Sequence, residues 1–393
     1  QLADGLDFWG FLGSLILGGI ILGIYTGLLG YVGAKTGLSL DLLSQRAFGE
    51  KGSYLPSAMT SFTQIGWFGV GLAMFAIPVS KELLGGVFFA VCKSRYKESF
   101  GSMVQLISDE DAAAAYKASG ADFIVAFGGG SPMDVAKTVG VVVKYGGKIE
   151  EYEGAHKVPG KIVPLIAIPT TAGTGSETTI AAVITDAETR HKYAINDFPL
   201  IPRYAVLDPE VTRSLPPFIT ACTGMDALTH AVEAYIGNST TPGTRKNALM
   251  AVSLIFKNLD TAVKDGNNME ARRNMLKASY YAGCAFTKSY VGYVHAVAHS
   301  LGGAYNVPHG YANAVLLPYV LDSYGECIYK KLHHLAVAAG IARKDIPHYK
   351  GARLFIYAIQ NMKKRYGIGN TIEEIREEDI PKLSHYADKE ANL

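Results

Sequence analysis

The chain has 393 residues and a net charge of +2, long enough for two or three domains and without the basic excess that marks a nucleic-acid partner. Its four cysteines, Cys92, Cys222, Cys284 and Cys327, lie far apart, which excludes a C-x-x-C zinc knuckle or dithiol redox motif. Reduced thiols in an intracellular protein are the expectation.

The first 81 residues differ in texture from the rest. No charge falls between Asp7 and Lys35, in FWGFLGSLILGGIILGIYTGLLGYVGA, or between Lys51 and Lys81, around LPSAMTSFTQIGWFGVGLAMFAIPV. Each run exceeds the roughly 20 apolar residues that cross a bilayer as a helix. Their glycines suit close helix packing in lipid. A cleaved signal peptide is disfavoured by the missing basic start and by the length of the first run. The start at Gln1 instead of Met suggests a fragment or a processed product.

From Glu82 onward, Pro, charge and periodicity are those of a soluble α/β protein. DEDAAAAYKASG (109–120) predicts a helix with an acidic start and a glycine stop. ADFIVAF predicts a short buried strand, and GGGSPMDVAKTVGVVVKYG a glycine turn opening a second helix. GKIVPLIAIPTT predicts another buried strand, followed by the hydroxyl-rich loop TTAGTGSETT. KYAINDFPLIPRYAVLDP holds two more strand-like stretches. Such alternation points to a parallel sheet. Beyond Thr212 the strand signals stop, and four successive segments have helical apolar spacing. The expected fold is thus an α/β, Rossmann-like half with an incomplete parallel sheet, then an all-helical domain, behind an N-terminal hydrophobic helical segment. The boundaries are 1–81 for that segment, 82–104 for a junction, 105–211 for the dinucleotide-binding part and 212–393 for the helical metal-binding domain.

The glycine turn is the first candidate site. In FIVAFGGGSPMDVAK, Gly128, Gly129 and Gly130 let backbone approach a ligand without a Cβ in the way. Ser131 is placed as N-cap, Pro132 as first helical residue and Asp134 in the first turn. A helix N-terminus beside such a turn seats a phosphate, although an ordinary tight turn has the same composition. The second loop shifts the balance, because Thr170, Thr171, Thr174, Ser176, Thr178 and Thr179 follow another strand, and ligands gather at the carboxyl ends of parallel strands.

The second candidate site is a set of Asp and His. Asp226 and His230 stand four apart in TGMDALTHAVEAY, and His295 and His299 four apart in YVHAVAHSLGG, so each pair shares a helix face. His309 follows in NVPHG. One carboxylate with two or three imidazoles supplies a metal shell with an open position, suited to Fe(II) or Zn(II). A single His on an apolar helix is usually a satisfied core group, but several unpaired Asp and His are costly to bury. His333, His334, His348 and His385 sit among charged or loop residues and are assigned to solvent; His156 and His191 are assigned to surface loops.

The motifs GADFIVAFGGGSPMDVAK, IAIPTTAGTGSETT, GMDALTHAVEAY and GYVHAVAHSLGGAYNVPHGYANAVLLP resemble, in order, those of the iron-dependent (group III) alcohol dehydrogenases. The resemblance runs from about residue 105 to about 390. It implies metal ligands at Asp226, His230, His295 and His309, and a non-ligand, catalytic His299 near nicotinamide and substrate. It also implies cofactor contacts at Gly130, Ser131, Thr170, Thr171, Thr179 and Lys192, to which the turn and loop add Gly129, Asp134 and Thr174. The implied activity is NAD- or NADP-linked interconversion of small alcohols and aldehydes in the cytoplasm by a homo-oligomer, a dimer.

GIYTGLLGYVGAKTGLSLDLLSQRAFGEKGSYLPS and QIGWFGVGLAMFAIPVSK, by contrast, resemble two spans of a cytosine permease of the nucleobase–cation symporter family. This segment stands where the dehydrogenase family has its first β-α-β unit, and the chain ends before that family's expected final helical segment. A chimera of the two is the expected organisation, with membrane association through residues 8–80. The alternatives are a membrane nucleobase permease fragment and an inactive chimera. Two spans by themselves cannot form the repeat-built site of such transporters.

Overall fold

The computed structural model describes residues 109–185, 192–373 and 375–391. The two apolar runs, the junction and the start of the dinucleotide-binding part lie outside the described residues, as does His191. Among the described residues no helix is long and apolar enough to cross a membrane.

The first described helix, α1 (Asp109–Ser119), ends where Gly120 adopts φ +66°, a left-handed conformation that suits glycine. Strand β1 (Ile124–Gly128) leads through the triple glycine into α2 (Gly130–Tyr145). This helix starts one residue ahead of the N-cap assigned to Ser131: Gly129 is the N-cap, no side chain caps it, and Ser131 lies exposed inside the helix. Glycine, free of Cβ constraints, lets the chain enter the helix earlier than the Ser-Pro signal alone suggests.

Strand β3 (Leu165–Pro169) pairs parallel with β1, from Ile124↔Leu165 to Gly128↔Pro169, and its other edge carries the short β6 (Tyr204–Ala205). Both strands have the alternating burial that a covered sheet produces. Ile124, Ala126, Leu165 and Ala167 pack against Met133, Ala136 and Val139 of α2. Matched register brings the carboxyl ends of β1 and β3 level, so the glycine turn and the hydroxyl loop emerge side by side.

A second sheet was not expected. Strand β5 (Lys192–Asn196) pairs parallel with β2 (Gly154–Ala155) and antiparallel with β4 (Ala181–Thr185), in the order β2-β5-β4. The AAVIT stretch has no polar alternation, so periodicity does not separate it from the loop before it.

The helical half comprises α3 (Pro217–Ile236), α4 (Pro242–Lys264), α5 (Met269–Ser289), α6 (Tyr293–Tyr305), α7 (His309–Tyr324), α8 (Tyr329–Ala338), α9 (His348–Arg365) and α10 (Ile380–Ala391). Thr241 caps α4 and Asn268 caps α5 through their side chains, each worth about 1 kcal/mol. Leu228, Ile255, Leu259, Leu321 and Phe355 are among the buried side chains of one continuous core, each contributing roughly 1.5–3 kcal/mol by leaving water. His334, His348, His385 and His156 are exposed as assigned, but His333 is not: it is 2% exposed, packed where α8 meets Gly351 of α9. The helical period turns it inward despite its charged neighbours in sequence.

Candidate metal and cofactor site

Helix α3 is apolar nearly all round and buried along most of its length, so Asp226 and His230, one turn apart, both lie inside the protein. His295 enters from the first turn of α6 and is 1% exposed. His309 is the first residue of α7. One ligand atom from each of Asp226, His230, His295 and His309 lies within 4.8 Å of all the others. Asp226 Oδ1 stands 3.8 Å from His295 Nε2 and 3.6 Å from His309 Nε2.

These four residues fit a divalent metal on their own chemistry. His295 Nε2 is buried without a hydrogen-bond partner, which costs about 1–3 kcal/mol unless something else takes the lone pair. Burial pushes the His230 pKa down and the His295 pKa well down, so both rings stay neutral with a lone pair to offer, the form a metal requires. Phe286 stacks on the His230 ring at 4.2 Å between centroids, holding it in plane. His299 stands beside the set, half-buried, with its ring stacked on that of His309 at 5.0 Å and 6.0 Å from that of His295.

Two further residues support this cluster and were missed at the sequence level. Glu233 accepts a hydrogen bond from His295 Nδ1, and burial raises its pKa to about 7. Asn313 is fully buried and donates from Nδ2 to Asp226 Oδ1 at 2.7 Å, with His309 Nε2 at 3.1 Å from the same nitrogen. The spacing held a signal for both: Glu233 continues the Asp226–His230 face at three residues from His230, and Asn313 lies four from His309.

At the carboxyl ends of β1 and β3, Thr170 N donates to Gly128 O at 2.8 Å, and the two loops pack against each other. A Cβ on Gly129 would stand 3.4 Å from Thr171 Oγ1, and one on Gly130 would come within 2.9 Å of Thr174 Cγ2. Gly130 therefore owes part of its identity to the neighbouring loop. Thr171 Oγ1 is buried with no hydrogen-bond partner, an atom ready for a ligand. Asp134 and Thr179 are engaged internally: Asp134 accepts from Ser176 Oγ at 2.7 Å and Val183 N at 3.1 Å, while Thr179 Oγ1 accepts from Lys137 Nζ at 2.9 Å. They brace the loop. The side chain of Lys192 lies outside what is described.

The hydroxyl loop also touches the helices α3 and α5. A Cβ on Gly173 would stand 2.8 Å from the carbonyl oxygen of Thr223 in α3, and Gly175, at φ +62°, runs 2.9 Å from Gly283 Cα of α5 by the same measure. Only glycine permits both approaches, and they set the hydroxyl loop against α3, the helix that carries Asp226 and His230.

Residues 104–209 match the model of the iron-containing alcohol dehydrogenases, and residues 220–393 that of the Fe-containing alcohol dehydrogenase family, C-terminal. The NAD-dependent methanol dehydrogenase of Bacillus methanolicus is 39% identical over 274 residues, 69% of this chain and 72% of that protein. The chain belongs to the iron-containing alcohol dehydrogenase family. The 1,3-propanediol dehydrogenase of Klebsiella pneumoniae is also 39% identical, over 284 residues, 72% of this chain and 73% of that one. Among solved structures, 1,3-propanediol oxidoreductase superposes with a TM-score of 0.69 at 38% identity, covering 72% of this chain and 74% of that one. Sulfoacetaldehyde reductase from Bifidobacterium kashiwanohense in complex with NAD+ superposes with a TM-score of 0.65 at 34% identity, covering 71% and 73%. The α/β part followed by a helical domain is thus the fold of iron-containing alcohol dehydrogenases, and NAD-linked alcohol oxidoreduction with an iron-type centre is the activity class. Residues 1–91 match a different model, that of permeases for cytosine/purines, uracil, thiamine and allantoin.

Proposed function

We propose that this iron-containing alcohol dehydrogenase interconverts small primary alcohols and aldehydes, with Asp226, His230, His295 and His309 as its metal ligands. The observation that carries this reading is the convergence of those four ligand atoms within 4.8 Å, with His295 Nε2 buried and unpartnered. Methanol and 1,3-propanediol, in the names of two relatives, are both small primary alcohols, which supports the substrate class. When bound, Fe(II) or Zn(II) supplies Lewis acidity toward the substrate oxygen and NAD or NADP supplies a hydride acceptor.

The chain's own residues do the rest. Asp226 contributes the single negative charge of the ligand set, and Asn313 holds that carboxylate in place. His299, half-buried at the edge of the cluster, takes the hydroxyl proton at a ring nitrogen and passes it toward water. The backbone at Gly129 and Ser131, with Thr170, Thr171 and Thr174 of the facing loop, receives the dinucleotide phosphates at the start of α2. Because a Cβ at Gly130 meets Thr174, Gly129→Ala is the cleaner probe of that placement and should weaken cofactor binding measured by calorimetry.

The test of the whole reading is an assay following reduced nicotinamide with a panel of small aldehydes, with and without added Fe(II). Metal-dependent oxidation of the nicotinamide supports the proposal; a metal-replete protein inert to every aldehyde overturns it.

The permease match over residues 1–91 supports a second reading, in which this segment ties the dehydrogenase to a membrane. Apolar runs of this length exposed to water demand a cover of lipid or protein. Recovery of the full chain in a carbonate-washed membrane fraction supports that reading, and recovery in the high-speed supernatant as a dispersed species overturns it.

A further inference from the structure

The first four N–H groups of a helix have no partner within it, and the residue ahead of α6 is Gly292, which has no side chain to cap them. The missing acceptor comes from another helix. Glu233 of α3, 5% exposed, accepts from Val294 N at 2.8 Å through Oε1, and takes further hydrogen bonds from the backbone at Gly292 and His295. Its other oxygen, Oε2, accepts from His295 Nδ1. The fit is close enough that a Cβ on Gly292 would stand 2.9 Å from Oε1. A carboxylate at a helix N-terminus also gains from the helix dipole.

The consequence lies across the imidazole ring. A neutral imidazole carries one proton, and an acceptor at Nδ1 draws it there, leaving the lone pair on Nε2. His295 Nε2 is the buried, unpartnered atom 3.8 Å from Asp226 Oδ1. We infer that Glu233 is a positioning residue for the metal centre, its two oxygens capping α6 and fixing His295 in the tautomer that presents Nε2 to the metal. This inference rests on the proposed ligand set. The same side chain links α3, the source of Asp226 and His230, to α6, the source of His295, so one carboxylate sets both the spacing of the ligands and the protonation of one of them.

The experiment separates capping from positioning. In Glu233→Gln the amide oxygen still accepts from Val294 N, while the amide NH2 donates toward Nδ1 and drives the ring proton to Nε2, the metal-facing atom. On the full chain, metal-free Glu233→Gln should keep wild-type circular dichroism and cooperative unfolding. Its Zn(II) affinity, read by competition with a chromophoric chelator, should fall about 10–100-fold. Nitrogen-15 NMR of labelled histidines should show His295 protonated at Nδ1 in the metal-free wild type and at Nε2 in the variant. Wild-type Zn(II) affinity in a folded Glu233→Gln protein overturns the inference. If the variant fails to fold, the wild-type tautomer decides: Nδ1–H supports the inference and Nε2–H overturns it. His295→Ala is the control for the ligand set. If that variant keeps its metal, the ligand assignment falls, and the tautomer measured without metal still reports on Glu233.

Discussion

Lys137 in the α/β half and His295 in the helical half are almost equally buried, at 0% and 1% exposure, yet their polar atoms meet opposite treatment. Lys137 Nζ donates to Ser176 Oγ at 2.9 Å, Thr179 Oγ1 at 2.9 Å and Ala181 O at 2.7 Å, with Asp134 Oδ1 at 3.6 Å. Each of its three protons has an acceptor. His295 has Glu233 on one nitrogen and nothing on the other. The first arrangement ties α2 to the hydroxyl loop and to β4; the second holds one side of a ring so that the other is left for a ligand. Burial of a charged or polar residue therefore does not mark function here. What sets His295 apart is that its unpartnered Nε2 converges with ligand atoms of Asp226, His230 and His309.

The largest effect expected from this contrast is on the open side. Asp226→Asn or His295→Ala should lose bound iron by elemental analysis, and with it nearly all turnover. Metal content equal to wild type in either variant would remove that residue from the ligand set.

His299→Ala should keep its metal, because the ring stands beside the cluster, while turnover falls by about 10²–10⁴-fold, the range for removing a general acid–base group. Parallel loss of metal would place His299 among the ligands.

On the closed side, Lys137→Met should leave metal affinity unchanged and cost about 3–5 kcal/mol in stability, since it strands Asp134 and Glu177 without their cation. Denaturant unfolding followed by circular dichroism checks this. A smaller loss than for an ordinary surface substitution would show that the buried network contributes little.

Glu177 sharpens the comparison within the closed region itself. It is 2% exposed, its carboxylate has no side-chain partner, and burial pushes its pKa up from 4.5 to about 7. The folded state thus binds this proton more tightly than the unfolded chain does. Stability should be highest near or below pH 4.5 as far as this group is concerned, and should fall as pH rises to 7, by about 3 kcal/mol at most. Glu177→Gln should flatten that component, seen as the difference between wild-type and variant unfolding curves at pH 5, 6 and 7. Superimposable pH trends would mean that the charge is relieved in place.

The smallest effect is expected at Thr171, whose hydroxyl is the unpartnered atom of the hydroxyl loop. Thr171→Val should leave stability unchanged or slightly raised and weaken NAD binding by about tenfold, the worth of one hydrogen bond. A clear loss of stability with unchanged NAD affinity would make Thr171 a brace like Thr179.

Much of this was legible in the sequence. Short apolar runs bounded by turn residues placed β1 and β3, and helical apolar spacing placed α3 to α6, because a covered strand is apolar throughout and a packed helix is apolar on one face. The i, i+4 pairs Asp226–His230 and His295–His299 put candidate ligands on helix faces by helical geometry alone. Local pattern did not reveal the β4–β5 pairing, since AAVIT gains its identity from a partner strand, or the burial of His333 among charged neighbours. Nor did it distinguish Asp134 and Thr179, engaged with Lys137 and Ser176, from Thr171, whose hydroxyl is free. Those roles depend on which atoms meet across 40 or more positions of chain, as Ser176 and Asp134 do. Glu233 shows the division most clearly. Its place on the face of Asp226 and His230 follows from counting residues, but its hold on His295 exists only because α3 and α6 pack together, and a hydrogen bond between distant segments has no period to betray it.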